Sequence, residues 1–514
     1  MASTRSWFPP LSKPLPPSHH RSLCIQCPIK ATYGIRPSKE AAVDRENLPI
    51  RKIPGGGGFP LIGPLRERLD YLYNQGPDEF FRSRIRKYHS TVYRANLPSG
   101  PLVAQDMRAV VLLDGKSFPV LFDVTKVDKK DLFTGTFMPS SELTGGYRVL
   151  PYLDPSELSH AKLKKLVFFL LKSRRDRIIP DFRSTYGELF DSLELGISSS
   201  GRADFGAFNE YAAFDFLSKS LFGINPRETE LGLEGPRIIG RWVMFMVGPV
   251  LTLDGLPRLL ENLTTHTLRL PLFSTREDSM RLQGFFYSAS RHVLDEAEKI
   301  GISREEAYHS LLFITCFNSF WGIKIFFSNL LKWISRGGVI LHTKLAQEIR
   351  SAVRSSGGEV TMSAIEKMPL MKSAVYECLR IEPPLPIQYG RAKKDIVVES
   401  HDSAFEVKRG ELMVGYQPLA TKDPRIFERP EEFVAMRFVG EGERLLKHVL
   451  WSNGPEDGSP NLGNKQCAGK DFVVLVARLL LVQLFLRYDS FDIEMVAGPA
   501  GVSLMLTSLK RATF

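Results

Sequence analysis

GPEDGSPNLGNKQCAGKDFVVLVARLLLVQLF, residues 454–485, brings a single cysteine, Cys467, out of a Gly/Pro/Asn-rich loop and straight into a long apolar helix. This arrangement suits a thiolate ligand. A thiolate is basic and easily oxidised, so it needs backbone N–H donors and a helix N-terminus to hold its charge, and small neighbours give that backbone room. Gly463, Ala468 and Gly469 are those small neighbours. A lone cysteine before a helix is also a common buried structural residue, so the loop alone leaves both readings open.

Working outward, YECLRIEPP (376–384) sets Glu377 and Arg380 three residues apart, on one face of a helix that ends near Glu382 and Pro383. An exposed pair at this spacing contributes under about 1 kcal/mol. DPRIFERPEEFVAMRF (423–438), just ahead of the cysteine loop, offers Arg437 as a second guanidinium for the same carboxylate. Helical periodicity runs through 160–172, 276–300, 304–334, 340–355, 363–380 and 470–488. STVYRANL (90–97), DIVVES (395–400) and AFEVKRGELMVGY (404–416) read as short strands. The fold class expected is mainly α with small β-sheets.

At 514 residues and 43% hydrophobic composition the chain can bury a large core. No repeat, charge block or low-complexity linker interrupts residues 50–514, and one large domain over 48–514 is expected. Five scattered cysteines, Cys24, Cys27, Cys316, Cys378 and Cys467, cannot frame so long a chain with disulfides, which favours a reducing compartment. No acidic residue precedes Glu40, whereas Arg5, Lys13, Arg21, Lys30, Arg36 and Lys39 lie among Ser, Pro and His. That is transit-peptide composition, placed at residues 1–47, without the apolar core of a secretory signal. Subtracting those six charges from the net +11 leaves +5, too little for a nucleic-acid footprint. A modest basic excess still allows weak attraction to anionic lipid.

Glu377 and Arg380, then Arg437, then a glycine-loop cysteine leading into an apolar helix: in that order and spacing the chain resembles the cytochrome P-450 superfamily over nearly all of 48–514. The resemblance implies a cytochrome P-450 fold with haem b buried between the helix holding Asn318 and the Cys467 loop. It makes Cys467 the axial ligand of the iron. Glu377, Arg380 and Arg437 become structural supports of the cysteine loop, with VAMRF replacing the usual PERF but keeping the arginine.

Within the superfamily, LLFITCFNSFWGIKIFF (311–327) lacks the acid-alcohol pair that relays protons to bound oxygen, and Asn318 stands there instead. The loop before Cys467 looks lengthened, with Lys465 where monooxygenases usually carry arginine. Together with DKKDLFTGTFMPSSELTGGYRVL (128–150) and NKQCAGKDFVVLVARL (464–479), these departures resemble the plant hydroperoxide-metabolising branch. That branch contains allene oxide synthases, hydroperoxide lyases and divinyl ether synthases.

Its members cleave the O–O bond of their own substrate at a haem whose thiolate ligand donates electron density, with no oxygen and no reductase. The resemblance implies that Asn318 hydrogen-bonds the hydroperoxide, work suited to a neutral amide that both donates and accepts. Phe133 matches the position where the synthases carry phenylalanine and the lyases typically leucine. An aromatic face there favours oxidation of the epoxyallylic radical to a cation, hence an allene oxide. Lys129, His160, Lys164 and Lys324 are nominated as partners of the haem propionates and Lys465 as a further cofactor contact. His160 and Lys164 lie one helical turn apart in HAKLKKL (160–166).

Two positions depart from the branch. Trp321 replaces the first glycine of a usual Gly-Gly pair, and Pro151 replaces a residue that is serine in the synthases and alanine in the lyases. The expected activity is that of a plastid hydroperoxide dehydratase acting on the 13-hydroperoxide of linolenic acid, at the start of jasmonate synthesis. An allene oxide cyclase downstream and peripheral contact with plastid membranes go with that expectation. The alternatives are a lyase or divinyl ether synthase on the same scaffold, an oxygen-dependent monooxygenase, or an impaired haem protein that binds lipid.

Overall fold

The apolar run after Cys467 becomes the helix Lys470–Arg487, whose leucines, valines and Phe485 are buried on most of its circumference. A helix apolar all round belongs in a core. Around it pack the helices Ile178–Ser200, Gly338–Arg354 and Pro369–Ile381. The computed structural model describes residues 48–56, 62–98, 108–250, 276–498 and 501–513, together with 3–5, 252–254, 258, 260–261 and 266. Apart from residues 3–5, the transit segment expected at 1–47, with its Cys24–Cys27 pair, lies outside the described residues.

The central helix spans 304–336 in three pieces: Arg304–Phe313, a π-helical segment Ile314–Phe320, and Trp321–Arg336. Ser303 caps it, its hydroxyl accepting from Glu306 N–H, and Glu305 and Glu306 complement the N-terminal dipole. It is the one helix among the described residues long and apolar enough to cross a bilayer. Just over half of that apolar stretch is buried against the rest of the molecule, so it serves as a core helix.

Strands form small sheets at the edge of this helical mass. A five-stranded sheet runs Val92–Asn96, Arg108–Leu112, Leu412–Tyr416, Ile387–Ala392, Val127–Asp128. The pair Ala404–Val407 and Ile396–Glu399 is joined by Ile50–Arg51. The expected strands are therefore present, with Leu412–Tyr416 pairing in register with Ile387–Ala392 so that Gln388 lies opposite Gly415.

Among the described residues, Gly76–Tyr88, three longer or equally long helices and a hairpin were not read from the sequence. Ile178–Ser200 contains Pro180, Gly187 and Gly196, which interrupt its apolar period. Phe205–Leu217 is buried on nearly every face and so carries no polar stripe. Gly235–Val247 opens on Gly-Pro and also passed unread. The hairpin Tyr488–Gly498 and Gly501–Arg511 has register shifts after Tyr488 and Asp492, which break the two-residue alternation.

Candidate active site

The cysteine loop is held from three sides. Cys467 N–H donates to Ser452 O at 3.0 Å, and the 450–453 turn is itself fixed by two buried glutamines. Gln388 Nε2 donates to Gln417 Oε1 and to Trp451 O, both at 2.8 Å, while its Oε1 accepts from Asn453 N–H at 2.8 Å. Gln417 Nε2 donates to Leu450 O at 2.6 Å. Glu456 then ties the loop to two helices, accepting from Tyr376 Oη at 2.7 Å, from Trp451 Nε1 and from Lys470 Nζ. Composition could not single these residues out. The signal available was one glutamine in the strand Ile387–Ala392 and another directly after the strand Leu412–Tyr416.

Beneath the loop, Glu377 and Arg380 are fully buried. Arg380 meets the Glu377 carboxylate with Nε and Nη2 at 2.7 and 2.9 Å. Arg437 Nε lies 3.0 Å from both carboxylate oxygens, and Val434 N–H adds a 2.8 Å bond. The remaining guanidinium N–H groups donate to the carbonyls of Thr421, Glu428, Arg429, Pro430 and Glu432. The three charges thus staple 421–437 to the helix Pro369–Ile381, and every charge has its hydrogen bonds.

Cys467 and Asn318 line the same cavity, with a volume of about 330 Å³. Phe133, Pro151 and Trp321 line it too, within mostly apolar walls. Asn318 is exposed to this space from the π-helical segment, and its carboxamide makes no hydrogen bond with a described residue. Single-turn π insertions rotate side chains out of the regular helical register and recur at functional sites. Phe133 is fixed by neighbouring rings, with centroids 5.4 Å from Phe313, 5.1 Å from Phe317 and 5.6 Å from Tyr152. Its loop packs tightly on the sheet: Gly135 has φ +79°, and a Cβ there would fall 2.1 Å from the Tyr389 ring.

The cavity also gathers Lys129, His160, Lys164 and Lys465. Lys129, His160 and Lys164 are buried. Lys129 Nζ donates to Tyr389 O, Lys164 Nζ to Asn464 O and Oδ1, and Lys465 Nζ to the carbonyls of Leu150 and Leu153. None of the three ammoniums has a carboxylate within ion-pair distance among the described residues. Burial, reinforced by the Lys465 charge, pushes Lys129 down to about 7. Burial likewise takes Lys465 to about 7, Lys164 to about 8, and His160 to about 4 with help from Lys465 and Lys164. His160 Nδ1 is buried without a partner among the described residues. The Asp154 carboxylate opposes the shifts of Lys129, Lys465 and His160 but pairs with none of the three ammoniums, and a bound anion favours their charged forms.

Burial also raises the Cys467 thiol, and the Gly469 N–H and the Lys164 charge oppose it. A thiol in a mostly apolar cavity that also gathers lysines without an ion-pair partner among the described residues is a donor set that fits haem with its two propionates.

Lys324 departs from expectation. It lies in the regular helix beyond the π-helical segment that carries Asn318. It does not line the cavity; it pairs with Glu210 from Phe205–Leu217 and lies 4.9 Å over the Trp321 ring.

Residues 341–497 match the cytochrome P-450 family. Across most of its length the chain is similar to allene oxide synthase 1, chloroplastic, of Solanum lycopersicum, 64% identical over 93% of this chain and 89% of that protein. It is 57% identical to allene oxide synthase, chloroplastic, of Linum usitatissimum, over 98% of this chain and 96% of the relative. The protein of the same name in Arabidopsis thaliana is 56% identical over 98% and 99%.

Proposed function

The chain belongs to the allene oxide synthase family of cytochromes P-450, chloroplast haem-thiolate enzymes, and from that premise we propose that it dehydrates the 13-hydroperoxide of linolenic acid to an allene oxide without oxygen or a reductase. The observation that carries this reading is the shared cavity, lined by Cys467, by Phe133 among its neighbouring rings, and by Asn318, whose carboxamide has no hydrogen bond to a described residue.

In this reading residues 48–514 are one catalytic domain behind a transit segment at 1–47. Cys467 holds the iron of haem b, and Lys129, His160, Lys164 and Lys465 neutralise its propionates. Bound there, haem supplies the one-electron chemistry that opens the substrate's O–O bond. The protein does the rest. Asn318 donates to the hydroperoxide and accepts its proton-bearing oxygen's hydrogen bond, which fixes the peroxide's approach without adding a charge to an apolar cavity. Phe133, unable to rotate away from Phe313, Phe317 and Tyr152, keeps its ring beside the reacting carbons and favours the carbocation over the radical. Glu377, Arg380 and Arg437 hold the loop that carries Cys467, and Gln388 and Gln417 fix its entry turn. Apolar walls keep water from the cation, so proton loss outruns hydration.

Product analysis tests the reading. Mixing the purified haem protein with the 13-hydroperoxide yields ketols, or a cyclopentenone once an allene oxide cyclase is added. A six-carbon aldehyde as the main product identifies a lyase instead.

A further inference from the structure

Trp321 is a large side chain in the cavity wall that the proposed chemistry does not use. It follows Asn318 by three residues, on nearly the same face of the helix. Its position is braced from outside: Lys324 lies 4.9 Å over the ring, and Glu210 on the helix Phe205–Leu217 holds Lys324. The indole N–H makes no hydrogen bond with a described residue. Next to it, a Cβ placed on Gly322 would meet nothing within 4 Å. Trp321 is half-buried against the core and lines the cavity together with Asn318.

A fatty-acid hydroperoxide carries two arms on its peroxide-bearing carbon, one ending in the carboxylate and the other in the methyl group. Once Asn318 holds the peroxide, one arm must pass the indole. In the 13-hydroperoxide the methyl arm is much the shorter; in the 9-hydroperoxide the two are nearly equal. We infer that Trp321, held by Lys324 and Glu210, is a specificity-determining residue that limits the methyl arm and selects the 13-hydroperoxide over the 9-hydroperoxide. This rests on the hydroperoxide reading of the cavity and adds to it a reason for regiochemistry. The walls that select are apolar, and a misfit of a few methylenes in such walls costs about tenfold or more in discrimination.

The experiment compares the haem-loaded parent with Trp321→Ala and with Trp321→Leu, which fills more of the space and protects the fold. Two ratios are measured, 13-isomer over 9-isomer in each case. One is the ratio of kcat/KM for the hydroperoxides; the other is the ratio of affinities for the corresponding hydroxy acids by equilibrium dialysis, which needs no turnover. The expected result is a fall of about tenfold in both ratios for Trp321→Ala and a smaller fall for Trp321→Leu. A ratio within twofold of the parent's in either measurement overturns the role of Trp321 while leaving the hydroperoxide reading in place. Failure of the haem-loaded parent to consume either isomer overturns that reading and the inference with it.

Discussion

Among single residues, Asn318 and Phe133 carry the sharpest expectations. Asn318→Ala removes a preorganised hydrogen-bond donor from an apolar cavity, and such donors are worth about 10²-fold in kcat; steady-state turnover of the hydroperoxide measures it, with the haem spectrum unchanged. Phe133→Leu removes the aromatic face and keeps the bulk. Loss of about 0.5–2 kcal/mol of cation stabilisation lowers the ketol-to-aldehyde ratio by about two- to thirtyfold, read by mass spectrometry. Lys129 gives a pH dependence. Its folded-state value of about 7 lies below the ordinary lysine value of 10.5, so between those limits the unfolded chain binds the extra proton and stability rises with pH. Haem-stripped protein accordingly resists urea better at pH 9 than at pH 7. A bound propionate beside Lys129 favours the charged amine and flattens that slope. The residue roles were legible in the sequence only through resemblance: in isolation Phe133 is an ordinary aromatic and Lys129 an ordinary surface charge. What the structure adds is their common cavity and, at Lys129, the absence of an ion-pair partner among the described residues.

Across elements, the Glu377, Arg380 and Arg437 staple joins the helix Pro369–Ile381 to 421–437. Glu377→Ala leaves two guanidiniums without their carboxylate, and breaking a buried pair in this way costs about 3–5 kcal/mol, seen as a lower urea midpoint and poor haem retention. Lys324 separates sequence from structure at the same scale. The resemblance placed it near the propionates, whereas it pairs with Glu210 and is absent from the cavity lining. Lys324→Met therefore leaves haem affinity unchanged, while Lys129→Met weakens it; haem titration distinguishes the two. The apolar periodicity of 304–334 and 470–488 showed where the long helices lie, since a regular stripe follows directly from burial. It could not show the π-helical segment at 314–320, which is a matter of backbone register and leaves the residue types unaltered. Nor could it show the Gln388 and Gln417 brace, because two glutamines become partners only when strand pairing brings them together.

At the scale of the molecule, a large helical core with small sheets at its edge sets one loop against one helix and encloses an apolar cavity between them. The motifs pointed to that arrangement through the resemblance they carry, and the structure joins two of them directly, Glu377 of 376–384 accepting from Arg437 of 423–438. The central claim is that this cavity uses the oxidising power stored in its own substrate. Its most direct measurement is the decay of the conjugated-diene absorbance when the haem protein meets the 13-hydroperoxide of linolenic acid under nitrogen, with no reductant present. The account predicts complete consumption at the aerobic rate. Consumption that appears only when oxygen, a reductase and a reduced nucleotide are supplied would contradict it.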